Sequence, residues 1–409
     1  MLHFETAAPY RIDWKPSFLL FGIWSFITLC RPQDYLSFLA ILRPSLTFGI
    51  IALLAFLPGE GGGKFILKSG QFRLFLALIA IMVIGIPFSY YRSASLLEVF
   101  DYASVSILFY ILQYYVVNTV DKLKSLLLAY CCGASVYALY VLMFGRLAGE
   151  RIAFGAMFDP NDTAFFILNF IAFNFLFLKP STSLKIRIIV IANVIICLMV
   201  MFKTGSRGGF VACISVFTYL LFVKTRTVNI IFFKKMILVL TVFIILLSIS
   251  MNTERYRSIL NVSSDYNIVA ETGRLSIWKI GMKMMLSNPL TGVGVGRFYE
   301  GVGRDRQERG LLSWRWQAAH NSFVQIGAET GVIGLILFIV MSSRVFVITG
   351  RVRSRSRSDD LIRIAEMARA GFLGHLVSGM FLSQGYSIYW VFYIALSASL
   401  QRMLEEEVA

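Results

Sequence analysis

Charge is scarce in this chain. Only 15% of its 409 residues are charged, 57% are hydrophobic, and the mean hydropathy is +0.71. A soluble domain holds about a quarter charged residues, so a water-soluble enzyme is excluded. Cysteine and histidine are also few, at five and three. Cys30, Cys131, Cys132, Cys197 and Cys213 lie in or beside apolar runs, with neither metal-ligand spacing nor a disulfide framework. They read as small packing residues. P-loop, HExxH, GxSxG and Cys/His zinc patterns are absent. The GVGVGRF stretch at 292–298 lacks the strand–helix unit of a dinucleotide site. The polar stretch Met1 to Pro16 has no small-residue cleavage site, so no cleaved signal peptide is expected.

What the chain does have is apolar length. Runs of about 15 to 24 residues recur, the length that crosses a hydrocarbon layer of roughly 30 Å. Spans are expected at Ser17–Cys30, Pro44–Leu57, Leu74–Tyr90, Phe100–Val117, Leu126–Phe144 and Ala164–Leu178. Further spans are expected at Ile188–Phe202, Gly209–Val223, Met236–Met251, Gly331–Ile348, Ala368–Gln384 and Tyr386–Leu400. The expected fold is an all-α polytopic membrane protein of about twelve helices. Helices one to nine fill 1–251, a large outer loop fills 252–319, and helices ten to twelve with a tail fill 320–409.

The net charge of +16 would suggest nucleic acid on a soluble protein. Here it reads as loop charge that sets topology, and no nucleic-acid partner is expected. Lys122, Lys124, Lys179, Lys185, Arg187 and the run Arg351 to Arg357 fall on one side of the membrane. An even span count then puts both termini in the cytoplasm. The segment Asn252 to Ala319 falls outside and carries ten Lys and Arg; a loop of about 70 residues crosses largely regardless of charge. Within it, Arg274 to Leu286 is amphipathic, with Leu275, Trp278, Met282 and Met285 near one face. That pattern predicts a helix at the membrane surface.

Three outer-boundary stretches carry candidate chemistry. In KTGSRGGF, Lys203 to Phe210, glycines flank Arg207. The arginine either caps a helix and snorkels to headgroups, or offers its planar fork to phosphate oxygens. Arg274 opens the amphipathic helix and meets lipid phosphates or a specific anion. His320 sits where the outer loop re-enters the membrane, where a histidine can act as a general base. Asn321, Gln325 and Glu329 follow in steps of four, which would line a cavity with polar groups. Asp159 and Asp162, in the FDPND turn, read as turn and N-cap chemistry or as cavity-lining carboxylates able to bind a divalent cation. His375 lies inside a span as a packing or helix-bridging residue. With no nucleotide energy source evident, outer-face chemistry needs an activated substrate, such as a glycan on a polyprenyl diphosphate.

These residues resemble a family. His320-Asn321, nine residues, then Gly331-Val332-Ile333-Gly334 matches the His-(Asn/Ser/Gln)-x9-Gly-x-x-(Gly/Thr/Tyr) pattern of bacterial O-antigen ligases. Thr204 to Gly209 resembles that superfamily's other outer-face arginine motif. Gly273-Arg274-Leu275 with Trp278, Pro289 and Gly292-Val293-Gly294 resembles the start of its large periplasmic loop. The same superfamily holds O-antigen and exopolysaccharide polymerases and protein O-oligosaccharyltransferases.

The resemblance implies a C-type glycosyltransferase architecture in the bacterial inner membrane, with the active site facing the periplasm. It implies an undecaprenyl-diphosphate-linked glycan donor, a lipid A–core or glycan acceptor, an inverting reaction, and no metal or other cofactor. His320 would be the base, and Arg207 and Arg274 would hold the leaving diphosphate. A polymerase joining repeat units is the alternative within the superfamily. A lipid or polysaccharide transporter is the alternative from another class, but transporters place polar groups at the midplane and carry paired repeats. Here the candidates cluster at the outer boundary, and no repeat is evident.

Overall fold

The computed structural model describes residues 15–41, 44–57, 66–148, 151–153, 159–179, 182–223, 273–310 and 316–409. Among these the chain is almost wholly helical. The helices are α1 (Pro16–Cys30), α2 (Ser37–Ala40), α3 (Pro44–Phe56), α4 (Gly70–Gly85), α5 (Arg92–Val116) and α6 (Val120–Phe144). They continue with α7 (Pro160–Ile171), α8 (Leu184–Lys203), α9 (Arg207–Phe222), α10 (Arg274–Ser287) and α11 (Phe298–Glu308). The last are α12 (Ser322–Arg355), α13 (Asp359–Gly379) and α14 (Ile388–Val408). A short antiparallel hairpin, β1 (Arg146–Ala148) and β2 (Arg151–Ala153), follows α6, with Arg146 opposite Ala153.

Eleven of the twelve expected spans fall on helices, and Met236–Met251 lies outside the described residues. By length and apolar composition alone, five helices are fit to cross a membrane: Gly70–Phe88, Arg92–Val116, Val120–Phe144, Leu184–Lys203 and Ser322–Arg355. The remainder are shorter, or carry charge satisfied inside the protein. In α13, for example, Arg363 donates to the carbonyls of Phe175 and Leu178 at 3.0 and 3.1 Å. Backbone carbonyls thus satisfy a buried guanidinium inside the protein.

Apolarity on every side marks the centre of the bundle. Thr163 to Ile171 of α7 and Tyr389 to Leu400 of α14 are buried without a break. A 3₁₀ turn, Ala172–Phe177, extends α7 beneath α13. Around these, α9 packs on α13, α5 on α14, and α12 touches α4, α13 and α14 together.

The structure moves several expected boundaries: the spans expected from Phe100, Leu126 and Ala368 start at Arg92, Val120 and Asp359. The span expected from Gly331 begins nine residues earlier, at Ser322, and passes through a kink at Gly331 (φ 75°, ψ −174°). An L side chain is strained in that region, and a Cβ there would lie 2.5 Å from the Pro289 carbonyl oxygen. The glycine-rich loop 288–297 wedges into the kink. Val293 and Gly294 donate to the carbonyls of Ala328 and Glu329, and Val332 donates to Pro289. On its other side the loop meets the outer end of α5, where Ser95 Oγ donates to the Val295 carbonyl at 2.8 Å. GVGVG is therefore a backbone wedge that needs glycine for close approach.

Candidate active site

Three segments far apart in sequence meet at one end of the bundle. The first is the turn before α9. Ser206 accepts a hydrogen bond from Gly209 N–H at 3.2 Å, an N-cap that makes Arg207 the first helical residue. Gly205 supplies φ 59° for the turn. A Cβ on Gly208 would lie 2.7 Å from the Phe381 Cβ, and one on Gly209 would lie 2.8 Å from that of Ala164. The glycines thus press the arginine turn onto the start of α7 and the α13–α14 connection. Arg207 itself is half-buried.

The second segment is α10, with Arg274 at its first position and half-buried. Ile277, Ile280, Gly281 and Met284 face the protein, against α11 and α12. Leu275, Met282 and Leu286 stay exposed at 45%, 48% and 67%. A helix with one apolar face packed and another outward fits a bilayer surface. Trp278 Nε1–H donates to the Ala319 carbonyl at 2.9 Å, joining α10 to the residue before His320.

His320 is the third element. Its φ of 46° is in the left-handed region, unusual for a non-glycine residue. Its N–H donates to Ser383 Oγ at 2.9 Å. Burial lowers the pKa of its imidazole below the ordinary value. The positive charge of Arg274 adds to the lowering, and Asp159 partly offsets it. A ring that is neutral near pH 7 and half-buried can accept a proton.

The remaining expected site residues act as braces. Asn321 caps α12, accepting from Phe323 and Val324 N–H at 2.9 and 3.1 Å. Gln325 accepts from Gly385 N–H at 3.2 Å. Glu329 accepts from Phe298 N–H at 2.9 Å and so pins the start of α11. Asp159 caps α7, accepting from Asn161 and Asp162 N–H. Asp162 accepts from Gln384 Nε2 at 2.9 Å. Among the described residues no group of three or more His, Cys, Asp or Glu could hold a metal ion. His375 lies in the last turns of α13; its Nδ1 is 3.0 Å from Asn169 Oδ1, bridging α13 to α7.

Sequence reasoning missed the connection Met380–Tyr386. Phe381 meets the Arg207 turn, Ser383 holds His320, Gln384 holds Asp162, and Gly385 holds Gln325. Its only signal in the sequence is the polar break Ser383-Gln384-Gly385 between two apolar runs. Arg151 was missed too. It donates to the Thr204 carbonyl and to Asn161 Oδ1, both at 2.9 Å, tying the hairpin to the arginine turn.

Residues 192–339 match the O-antigen ligase family. That segment, just over a third of the chain, is similar to the O-antigen ligase domain, which supports the ligase and polymerase superfamily. It runs from within α8 to within α12 and contains Arg207, Arg274 and His320, so the residues that converge in space lie in the family's own segment. The match supports membrane glycosyltransferase activity of ligase or polymerase type, with a lipid-linked glycan implied as substrate. No curated protein matches the chain. One solved chain, described under "Structural coordination of polymerization and crosslinking by a peptidoglycan synthase complex", superposes with a TM-score of 0.46 at 14% identity. The superposition covers 83% of this chain and 97% of that one.

Proposed function

We propose that the chain transfers a glycan from undecaprenyl diphosphate to lipid A–core or another saccharide acceptor, at the periplasmic face of the bacterial inner membrane. In this reading about twelve spans leave both termini in the cytoplasm. The observation that carries it is the convergence of the Arg207 turn, Arg274 and His320 around the connection Met380–Tyr386.

His320 accepts the proton of the acceptor hydroxyl. The freed oxygen attacks the anomeric carbon, the bond from that carbon to the diphosphate oxygen breaks, and attack from the opposite face inverts the centre. A positioned base contributes roughly 10²–10⁴-fold. Arg207 and Arg274 offset the charge that develops on the departing diphosphate, and preorganised guanidinium groups cost no reorganisation at that moment. The outward apolar face of α10 beds into the bilayer surface, where the donor's lipid tail ends and its charge begins.

The test is a pair of arginine replacements in purified protein supplied with lipid-linked oligosaccharide. Arg207→Ala and Arg274→Ala are expected to lose transfer while keeping normal expression. Lysine at either position is expected to restore only part, because a point charge lacks the planar fork. Full activity in either alanine variant removes that arginine from the site.

A further inference from the structure

At the opposite end of α9 lies a second, chemically distinct site. At about 1.5 Å per residue, Phe222 sits roughly 22 Å from Arg207 along the helix axis. There α9, α12 and α13 border an open groove of about 740 Å³ that runs back along α9 to Val211. Val211, Ile214, Phe222 and Leu373 give it an apolar wall, and Thr218 and Tyr219 add hydroxyls. Arg353 and Arg369 line its polar part.

Among the described residues, arginines outnumber carboxylates there. Arg353 Nε lies 3.3 Å from an oxygen of Glu366, a fully buried carboxylate that also feels Arg363 and Arg369. Three guanidinium groups surround one carboxylate. Arg363 is spent on the Phe175 and Leu178 carbonyls. Arg369 reaches the Tyr219 hydroxyl, and its Nε, like both oxygens of Glu366, is buried with no hydrogen-bond partner among the described residues. Its guanidinium lies 5.9 Å from the Phe346 ring centroid, across Gly350, where a Cβ would come within 2.9 Å of it. A missing side chain on α12 therefore makes room for a cation with donors to spare. A buried donor left unsatisfied is destabilising, which favours an occupant that accepts its hydrogen bond.

We propose that this groove binds the phosphodiester headgroup of an anionic phospholipid, in the leaflet opposite the candidate active site. Arg369 and Tyr219 meet the phosphate oxygens, and an acyl chain lies along the α9 wall. A planar guanidinium suits phosphate oxygens, and basic pockets between spanning helices at a membrane surface attract anionic headgroups. The groove's apolar wall fits an acyl chain and leaves free phosphate without a use for it.

The test uses the delipidated full chain in neutral detergent, titrated with dioleoyl-phosphatidylglycerol and read by native mass spectrometry. One phosphatidylglycerol is expected to bind in preference to dioleoyl-phosphatidylcholine, and Arg369→Gln is expected to weaken it about 10-fold. Ser215→Trp, which fills the groove without touching a charge, is expected to weaken it as well. That variant keeps the test open if Arg369→Gln folds poorly. Equal retention of the two lipids, or unchanged binding in both variants, overturns the proposal. Full displacement by millimolar inorganic phosphate also overturns it, because the site would then be for a free anion.

Discussion

The indole N–H of Trp278 donates to the Ala319 carbonyl at 2.9 Å, one residue before His320. This bond couples the helix that starts with Arg274 to the backbone that aims the imidazole. Trp278→Phe keeps an aromatic side chain, smaller by the pyrrole ring, and removes the donor. Turnover is expected to fall roughly 10-fold, since small misplacements of catalytic groups cost that order of rate. The apparent donor KM should hold, because both arginines remain. A change confined to KM would assign Trp278 to donor binding instead.

The second prediction concerns pH. A lowered pKa keeps His320 neutral to lower pH than a free imidazole, whose pKa is about 6.5. As a base it works in the neutral form, so the acid limb of kcat/KM should lie below that value. Arg274→Gln removes a charge that lowers the pKa, and the limb in its residual activity should move up. Asp159→Asn removes a charge that raises it, and the limb should move down. Shifts in the reverse order contradict the assignment.

Backbone geometry supplies the third. Gly331 and Gly310 both have positive φ, at 75° and 69°. A Cβ on Gly331 would strike the Pro289 carbonyl, whereas one on Gly310 meets nothing within 4 Å. Gly331→Ala should cost about 2–4 kcal/mol through strain and displacement of the wedge. Gly310→Ala should cost only about 1 kcal/mol. Thermal unfolding in detergent reads the difference, and equal midpoints would show that the wedge does not support the fold.

Metal removal gives the fourth. The carboxylates at the FDPND turn are already engaged, Asp159 by two backbone N–H groups and Asp162 by Gln384. Transfer is therefore expected to persist in excess EDTA. Loss of activity that Mg²⁺ restores would make Asp159 and Asp162 metal ligands.

The sequence was most legible where one physical force dominated. Apolar runs located the helices, and the spacing around Arg274 and His320 located the motifs. It was least legible where partners decide. Hydropathy cannot tell lipid from protein, so the enclosed helix from Pro160 looks like the lipid-facing one from Leu184. The steps of four from Asn321 suggested one polar face, but Asn321 is the cap and only Gln325 and Glu329 lie within the helix. The connection Met380–Tyr386 works through Ser383 and Gln384, a glycine N–H and an aromatic contact, with no charged residue to attract notice. Arg151 acts on a carbonyl 53 positions away, a contact that no local pattern encodes.

The most direct measurement is transfer by purified protein from a polyprenyl-diphosphate oligosaccharide, with and without lipid A–core. Wild type, His320→Ala and His375→Ala would be compared per folded molecule. The account predicts product in wild type, loss in His320→Ala, and retention in His375→Ala, whose ring bridges α13 to Asn169 and packs among Phe165, Phe372 and Tyr393. Product only with lipid A–core identifies a ligase, and chain lengthening without it identifies a polymerase. Transfer at the wild-type rate by His320→Ala, or no glycan transfer by wild type with any acceptor, would contradict the account.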